Sequence, residues 1–130
     1  MRRYGYFSLP YQGQEIYFYL AHTSSPDSYD HFVMRNEQLE TFVEDFQSHE
    51  SDRKHDNIVI IGDFNVTPWS SYYDILDTAF SDNDLVNTTK RVPFLFTRTF
   101  KGLPVFQAHI DHMWTTPSLI VQKFITLPMV

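Results

Sequence analysis

The stretch Ile58-Val59-Ile60-Ile61-Gly62-Asp63-Phe64-Asn65 decides the fold class of this chain. Its run of four β-branched residues predicts a strand that is covered on both faces and that ends at Gly62. In extended geometry Asp63 and Asn65 point the same way, and Phe64 points into the core. Gly62 lets another group approach the backbone closely. Because ligands in open α/β sheets bind beyond the ends of such strands, we expect a site at this junction.

The chemistry of that junction rests on Asp63 and Asn65. A carboxylate and a carboxamide side by side form a pair of hard oxygen donors, which suits Mg²⁺ and suits the orientation of a water molecule. The alternative is a strand-to-turn junction in which both side chains only make turn hydrogen bonds. The residue types alone leave these two interpretations equally open.

The flanking sequence predicts a sheet with helices on one face. Residues 14–21 follow a Gln-Gly turn and predict a strand, and the spacing of apolar residues in 30–48 predicts an amphipathic helix. Residues 68–76 predict a second, shorter helix. Three strand-like pieces close the chain: 94–100, 105–115 and 119–126. The order β-α-β-α-β-β-β predicts an α/β (α+β) architecture.

A second candidate site lies in the predicted strand 105–115. Alternation places Asp111 on the more polar face, where it could accept the Nδ1–H of a catalytic histidine and fix its tautomer. His112 shares the other face with Trp114, which favours a packed, hydrogen-bonded histidine over a ligand. His109 and His112 face opposite ways on a continuous strand, so their spacing does not predict a zinc site.

Three further residues are candidates. His22 ends its predicted strand, where a histidine can donate to a phosphate oxygen. Arg35 either holds a buried carboxylate or caps the sheet edge, and we favour the structural role. Trp69 either stacks on a base or sugar of a substrate or packs against the short helix. The remaining histidines are interpreted as surface residues: His31, His49 and His55.

Composition and charge narrow the function classes. With 10 basic and 16 acidic residues the formal charge is −6, which excludes a protein that grips a polyanion with a broadly basic surface. Phosphate chemistry would therefore have to be local and cation-assisted. The absence of cysteine excludes disulfide scaffolds, thiolate zinc sites and cysteine nucleophiles. The longest apolar run, 58–61, is far below the roughly 20 residues of a membrane helix, so we expect a cytoplasmic protein.

Four segments, in this order, resemble the endonuclease/exonuclease/phosphatase superfamily, whose fold is DNase I-like. They are His22-Thr23-Ser24-Ser25-Pro26, Arg35-Asn36-Glu37-Gln38-Leu39, Ile61-Gly62-Asp63-Phe64-Asn65-Val66-Thr67-Pro68-Trp69-Ser70 and Ile110-Asp111-His112. The resemblance implies half of a two-sheet DNase I-like α/β sandwich, with a mixed, mainly antiparallel sheet. On this basis residues 1–130 form a partial domain of that kind.

The resemblance also implies a metal-dependent phosphoester hydrolase that uses Mg²⁺ or Mn²⁺. Its substrate would be a nucleic acid, a phospholipid or a small phosphoester. By motif position, Asp63 would orient or deprotonate the attacking water, and Asn65 would position that water and the phosphate, both beside the metal. His22 would hydrogen-bond a phosphate oxygen, and Asp111 would brace a histidine. The cation would neutralise charge on the phosphate, so an acidic protein could still act on an anion.

Two parts of the family pattern have no match in this sequence. One is an N-terminal half with an asparagine and a metal-binding glutamate, and the other is a terminal Ser-Asp-His segment. The alternative function is therefore a catalytically silent fragment that acts as a binding or oligomerising module, as a homo-oligomer or with a complementing chain. A sandwich split between its sheets would leave one broad apolar face exposed, which favours association.

Overall fold

The computed structural model describes residues 3–90, 98–100 and 103–122. Its two helices are α1 (Tyr29–Asp52) and α2 (Ser71–Ser81). Its strands, in chain order, are β1 (Tyr4–Tyr11), β2 (Gln14–His22), β3 (Ile58–Asp63), β4 (Val86–Asn87), β5 (Arg98–Phe100), β6 (Leu103–Ala108) and β7 (Asp111–Thr115). No helix among these residues is long and apolar enough to cross a membrane.

Five of the strands form one mixed sheet in the order β1-β2-β3-β7-β4. β2 and β3 are connected by α1 and are the only neighbouring strands of this sheet that run parallel. The other neighbouring pairs are antiparallel. β5 and β6 form a separate antiparallel pair. The predicted α/β class and the mainly antiparallel sheet are therefore confirmed.

Both helices cover the same face of this sheet, as predicted. Alternate residues of β2 and β3 point toward them and are buried, as Tyr19 and Ile60 show. One contiguous apolar core joins the sheet to the two helices. Its largest fully buried aromatic and aliphatic side chains are Leu39, Phe42, Phe46, Phe64, Tyr73, Leu76, Phe80 and Trp114.

The opposite face of the sheet, here called the open face, is apolar and partly exposed. Phe7, Leu9 and Leu20 point out from it on β1 and β2. Ile61 lies beside Leu20 in the parallel register and is 36% exposed. Val59 points to the same face and is 8% exposed, so the expectation that β3 is covered on both faces is correct at Val59 and wrong at Ile61. An unbroken β-branched run shows that both faces are apolar, but it does not show what covers them.

Strand β1 was not predicted from the sequence. It pairs with β2 along its whole length, through a turn at Gln12 and Gly13 in which both residues have positive φ, 49° and 78°. Two such residues form the turn type that suits a tight hairpin. Pro10 is tolerated because β1 is an edge strand. No strand pairs with its outer side, so the missing N–H of proline costs no hydrogen bond there.

The helix predictions were correct in place and differ at the ends. α1 begins after Ser28, whose hydroxyl accepts a hydrogen bond from the His31 N–H at 3.2 Å. It extends four residues beyond the predicted end at 48. α2 is capped by Ser70 and begins at Ser71, so residues 68–70 precede the helix instead of opening it.

The closing strands differ more from expectation. The predicted strand 105–115 is two strands, β6 and β7, which belong to different sheets and are separated by His109 and Ile110. Residues 119–122 of the predicted strand 119–126 are not strand. Residues 94–97 and 123–126 of the predicted strands lie outside the described residues.

Candidate active site

Three of the predicted site residues lie in one row across the sheet. His22 pairs with Asp63 in the parallel register of β2 and β3, and Asp63 pairs with Asp111 in the antiparallel register of β3 and β7. Because neighbouring strands are about 4.8 Å apart, the row is about 10 Å wide at the backbone. Residues paired in this way project from the same face of the sheet.

The row projects from the open face, on the side opposite the helices. The next residues inward, Ala21 and His112, point toward the helices and are buried. His22 is exposed, and Asp63 and Asp111 are partly buried. A ligand could therefore reach an imidazole and two carboxylates together at this end of the sheet.

Asn65 is held beside the row by a tight turn. The Oδ1 atom of Asp63 accepts a hydrogen bond from the Asn65 N–H at 2.9 Å, which is an Asx turn. Asn65 has a φ of 48°, a left-handed conformation that asparagine tolerates better than most residues. The intervening Phe64 is fully buried, as predicted. The extended geometry expected at Asn65 is wrong, because β3 ends at Asp63.

The turn hydrogen bond predicted by the alternative interpretation is thus present, but it leaves part of the Asn65 side chain available. Nδ2 of Asn65 donates to the carbonyl oxygen of Thr23 at 2.9 Å. This bond fixes the orientation of the amide, and its Oδ1 has no hydrogen-bond partner in the described part of the chain. Oδ1 is therefore the atom through which Asn65 can accept a hydrogen bond or bind a cation.

Arg35 supports this turn from α1. Its side chain is 5% exposed, and its Nη1 donates to the carbonyl oxygen of Asn65 at 2.7 Å. Its Nε and Nη2 donate to Oδ1 of Asn36 at 3.0 and 2.6 Å. Burial lowers the pKa of Arg35, but a guanidinium remains charged at neutral pH. The structural role expected for Arg35 is confirmed, and its partners are an amide and a carbonyl instead of a carboxylate.

Gln38 was missed as a functional residue, and it holds the loop that follows His22. Its Oε1 accepts from the Ser24 N–H at 2.8 Å, and its Nε2 donates to the Ser24 hydroxyl at 3.2 Å. These bonds tie the loop to α1 within a buried region. No local sequence pattern signals this contact, because it joins residues on different elements.

Gly62 is required by the parallel pairing of β2 and β3. A Cβ atom at this position would lie 2.0 Å from the carbonyl oxygen of Ala21. The close approach expected at Gly62 is thus confirmed, and the neighbouring group is the backbone of β2.

His112 is a packed, hydrogen-bonded histidine, as predicted. It is 1% exposed, and its Nε2 lies 2.6 Å from the carbonyl oxygen of Val66. Burial lowers the pKa of His112 to about 4, so the ring is neutral and Nε2–H is the donor. Its Nδ1 is buried and has no hydrogen-bond partner among the residues that the structure describes.

His109 and His112 do not face opposite ways, contrary to expectation. Their ring centroids are 4.4 Å apart, because the chain leaves the extended conformation between β6 and β7. Burial lowers the pKa of His109 as well. Alternation along a strand could not predict this contact, since it assumes that the strand is continuous.

The surroundings of Trp69, His31 and His55 differ. The Trp69 side chain is 84% exposed, so it does not pack against α2, and the packing alternative is wrong. His31 is on the surface, as expected. His55 is not, since its Nδ1 lies 2.7 Å from Oε1 of the buried Glu50.

The donors at this end of the sheet are of the type that suits magnesium, but they are too few to hold the ion alone. Asp63 and Asn65 could supply a carboxylate and an amide oxygen, and Mg²⁺ is commonly held by one or two carboxylates with waters and substrate phosphates. Among the described residues no group of three or more His, Cys, Asp or Glu side chains is arranged to hold a metal. Further ligands would therefore come from water, substrate or other protein segments.

The fold and the row of polar residues at its edge define a DNase I-like α/β protein. The model of the Endonuclease/Exonuclease/phosphatase family matches residues 16–129. The chain belongs to this family. A search of curated proteins gave no significant match.

Several solved structures share this fold. A 3'-5' exonuclease from Neisseria meningitidis is 19% identical, with a TM-score of 0.61 over 79% of this chain and 49% of its own. An endonuclease/exonuclease/phosphatase family protein from Bacteroides thetaiotaomicron is 21% identical, with a TM-score of 0.60 over 88% of this chain and 41% of its own.

A mutant of beta toxin from Staphylococcus aureus with bound magnesium ions is 18% identical, with a TM-score of 0.59 over 94% of this chain and 44% of its own. This chain thus spans less than half of the length of each of these three structures. At these identities the likeness shows the fold alone.

Proposed function

We propose that this chain carries the part of a metal-dependent phosphoester hydrolase that orients the attacking water and the phosphate. One observation carries the proposal: the sheet register sets His22, Asp63 and Asp111 side by side, and the Asx turn holds Asn65 next to Asp63. A carboxylate can act as a general base toward water, and an imidazole beside it can donate a hydrogen bond to a phosphate oxygen.

In this proposal Asp63 and Asn65 act on the water. The Asp63 carboxylate takes a proton from the water as its oxygen bonds to phosphorus, and the bond to the leaving alkoxide breaks and that alkoxide takes a proton from solvent. Oδ1 of Asn65 accepts the second hydrogen bond of the water, because Nδ2 is already bound to Thr23. Two fixed acceptors would hold the water in line with the phosphate.

His22 and Asp111 act on either side of that water. The exposed imidazole of His22 donates to a non-bridging phosphate oxygen, where negative charge grows in the transition state. Asp111 accepts the Nδ1–H of a histidine and so fixes its tautomer. That histidine belongs to the Ser-Asp-His segment that the family pattern carries.

Mg²⁺ or Mn²⁺ held at Asp63 and Asn65 would neutralise charge on the phosphate, which fits an acidic chain. The substrate class is a nucleic acid, a phospholipid or a small phosphoester. The exposed indole of Trp69 follows Asn65 closely in sequence and would stack on a base or sugar.

The test is hydrolysis of bis(p-nitrophenyl) phosphate and supercoiled plasmid with Mg²⁺, with Mn²⁺ and with EDTA. Asp63→Asn keeps an acceptor for the Asn65 N–H but removes the charge, so it should abolish metal-dependent turnover while the chain stays folded. Asp52→Asn changes an exposed aspartate at the end of α1 and should keep the activity.

A second readout separates metal binding from turnover. Mn²⁺ is paramagnetic, so it should broaden the amide signals of His22, Asp63 and Asn65 in the wild type and not in Asp63→Asn. Broadening without turnover would mean that the chain binds the metal but lacks groups that catalysis needs. The absence of both from a folded wild-type chain would contradict the proposal.

The second candidate function is a catalytically silent module that binds another protein surface or a second copy of itself. The open face favours it, because Phe7, Leu9 and Leu20 expose apolar area that a monomer ordinarily covers. The occupant would be a complementing chain or a homo-oligomer partner.

A further inference from the structure

The open face and the row of site residues belong to the same surface of the sheet. Alternation along β2 puts Leu20 on the side of His22, and alternation along β3 puts Ile61 on the side of Asp63. Leu20, Ile61 and, on β1, Phe7 are exposed. Any surface that covers this apolar area therefore also lies in front of the polar row.

One copy of the chain supplies too few ligands for the ion that its donors suit. Asp63 and Asn65 offer one carboxylate and one amide oxygen, whereas Mg²⁺ takes about six oxygen ligands. Among residues 3–90, 98–100 and 103–122 no cluster of three or more His, Cys, Asp or Glu side chains could hold a metal. Because Asp63 projects from the open face, a carboxylate on a covering surface could reach the same ion.

The geometry of the sheet lets a second copy provide that carboxylate. β3 is the middle one of the five strands, so a two-fold axis parallel to β3 and in front of the open face sets two sheets face to face with both rows at the same end. Because the rotation exchanges the two sides of the sheet, Asp63 faces the partner's Asp63. His22 on β2 faces the partner's Asp111 on β7.

The same axis brings apolar side chains together behind the row. Ile61 faces the partner's Ile61, and Leu20 faces the partner's Met113, since Met113 lies beside Ile61 in the antiparallel register. Sheets that pack face to face lie about 10 Å apart. Two opposed aspartates can span that distance with an ion between them, whose bonds to oxygen are about 2.1 Å.

We propose that two copies of this chain pack through their open faces and hold one divalent cation between their Asp63 carboxylates. The inference rests on the proposed function, since it completes the metal site of that proposal. Along the row the only like charges that meet are the two Asp63 carboxylates, and a cation between them replaces repulsion with attraction. This chain also spans less than half of each compared structure with the same fold, so two copies supply about as much chain as one such structure.

The test compares the dissociation constant of the dimer with Mn²⁺ and with EDTA by sedimentation velocity. Mn²⁺ should tighten the wild-type dimer about tenfold, because the dimer alone offers both carboxylates to the ion. Asp63→Asn should dimerise at least as well as the wild type in EDTA, since the like charges are gone, and should gain nothing from Mn²⁺. Asp52→Asn, at an exposed position on α1, should behave as the wild type. A wild-type dimer that is equally tight with and without Mn²⁺, or a monomer in both, would overturn the proposal.

Leu20→Gln separates a failure of this inference from a failure of the proposed function. It adds no charge near the site but weakens the apolar contact, because a buried amide without a partner is costly. In the resulting monomer Mn²⁺ should broaden the Asn65 amide signal only at about tenfold higher concentration than in the wild type, since the coupling of metal binding to dimerisation is reciprocal. Ile75→Gln, at an exposed position on α2, should keep the wild-type affinity.

The Mn²⁺ affinities of these proteins decide between the two failures. Equal affinity in Leu20→Gln and the wild type would overturn the shared metal site and leave the proposed function standing. No broadening in either protein would contradict both proposals.

Discussion

Arg35 donates a hydrogen bond from Nη1 to the main-chain carbonyl oxygen of Asn65 at 2.7 Å. Through this bond the long helix fixes a residue that is in a left-handed conformation next to Asp63. Arg35 also binds the side chain of Asn36 with two further donors. The geometry of the candidate site therefore depends on a buried guanidinium that does not itself face the row of site residues.

We expect Arg35→Lys to destabilise the chain by about 2 kcal/mol, because one ammonium cannot replace the three donors and leaves a buried acceptor unpaired. The free energy of unfolding in urea measures this loss. The Asn65 amide signal should also move, which reports the turn itself. Arg53→Lys, at an exposed position, should change neither. An Arg35→Lys protein as stable as the wild type would contradict the supporting role.

Gly62→Ala should destabilise the chain by about 3 kcal/mol or more. The added Cβ would lie 2.0 Å from the Ala21 carbonyl oxygen and 2.8 Å from the Ala21 carbonyl carbon and nitrogen. These are backbone atoms in a paired strand, so the clash cannot be relieved by a rotamer change. Urea unfolding followed by circular dichroism measures the effect.

Gly5→Ala is the matched control for this substitution. Gly5 lies in the edge strand β1, and a Cβ there would meet nothing within 4 Å. Its free energy of unfolding should change by no more than about 0.5 kcal/mol. Similar losses in the two variants would mean that strand propensity, and not the Ala21 contact, decides the cost.

The features that could be predicted from the sequence are those that neighbouring residues decide. The burial of Phe64 and the packing of His112 follow from alternation on short strands, where neighbouring positions decide which face a side chain takes. The fold class follows from the same local patterns, since a β-branched strand between two amphipathic helices leaves few alternatives. Such features need no knowledge of distant residues.

The remaining features depend on contacts between distant parts of the chain. The hydrogen bond from Arg35 to Asn65 joins residues 30 positions apart, and no pattern in either segment signals it. The ring contact of His109 with His112 arises because the chain passes from one sheet to another between them. Sequence periodicity reports local geometry, so it predicted neither.

Stability should fall in acid because of His112. Its pKa is about 4 in the folded chain and 6.5 in the unfolded chain, so the unfolded state binds a proton first as the pH falls. The contribution of neutral His112 is complete above about pH 6.5 and is lost as the pH falls toward 4. Between pH 7 and pH 5 the loss should be about 2 kcal/mol.

His112→Gln isolates this effect from that of other titrating groups. Glutamine can still donate to the Val66 carbonyl oxygen but does not titrate in this range. Urea unfolding at pH 7, 6 and 5 should therefore show a shallower loss of stability in the variant than in the wild type. If both proteins lose the same free energy, then His112 does not bind its proton selectively in the unfolded state.

The open face should make the isolated chain self-associate. Leu20 lies on this face beside Ile61 and is 41% exposed. Burial of such side chains against a second apolar surface is favourable. Sedimentation velocity over a range of concentrations should show assemblies that grow with concentration.

Leu20→Lys should shift the population to monomer, because a charge cannot be buried there without a partner. Ile75→Lys changes a side chain of similar exposure, 44%, on α2 and should leave association unchanged. A wild type that stays monomeric, or equal effects of the two lysines, would exclude the open face as the surface through which the chain associates.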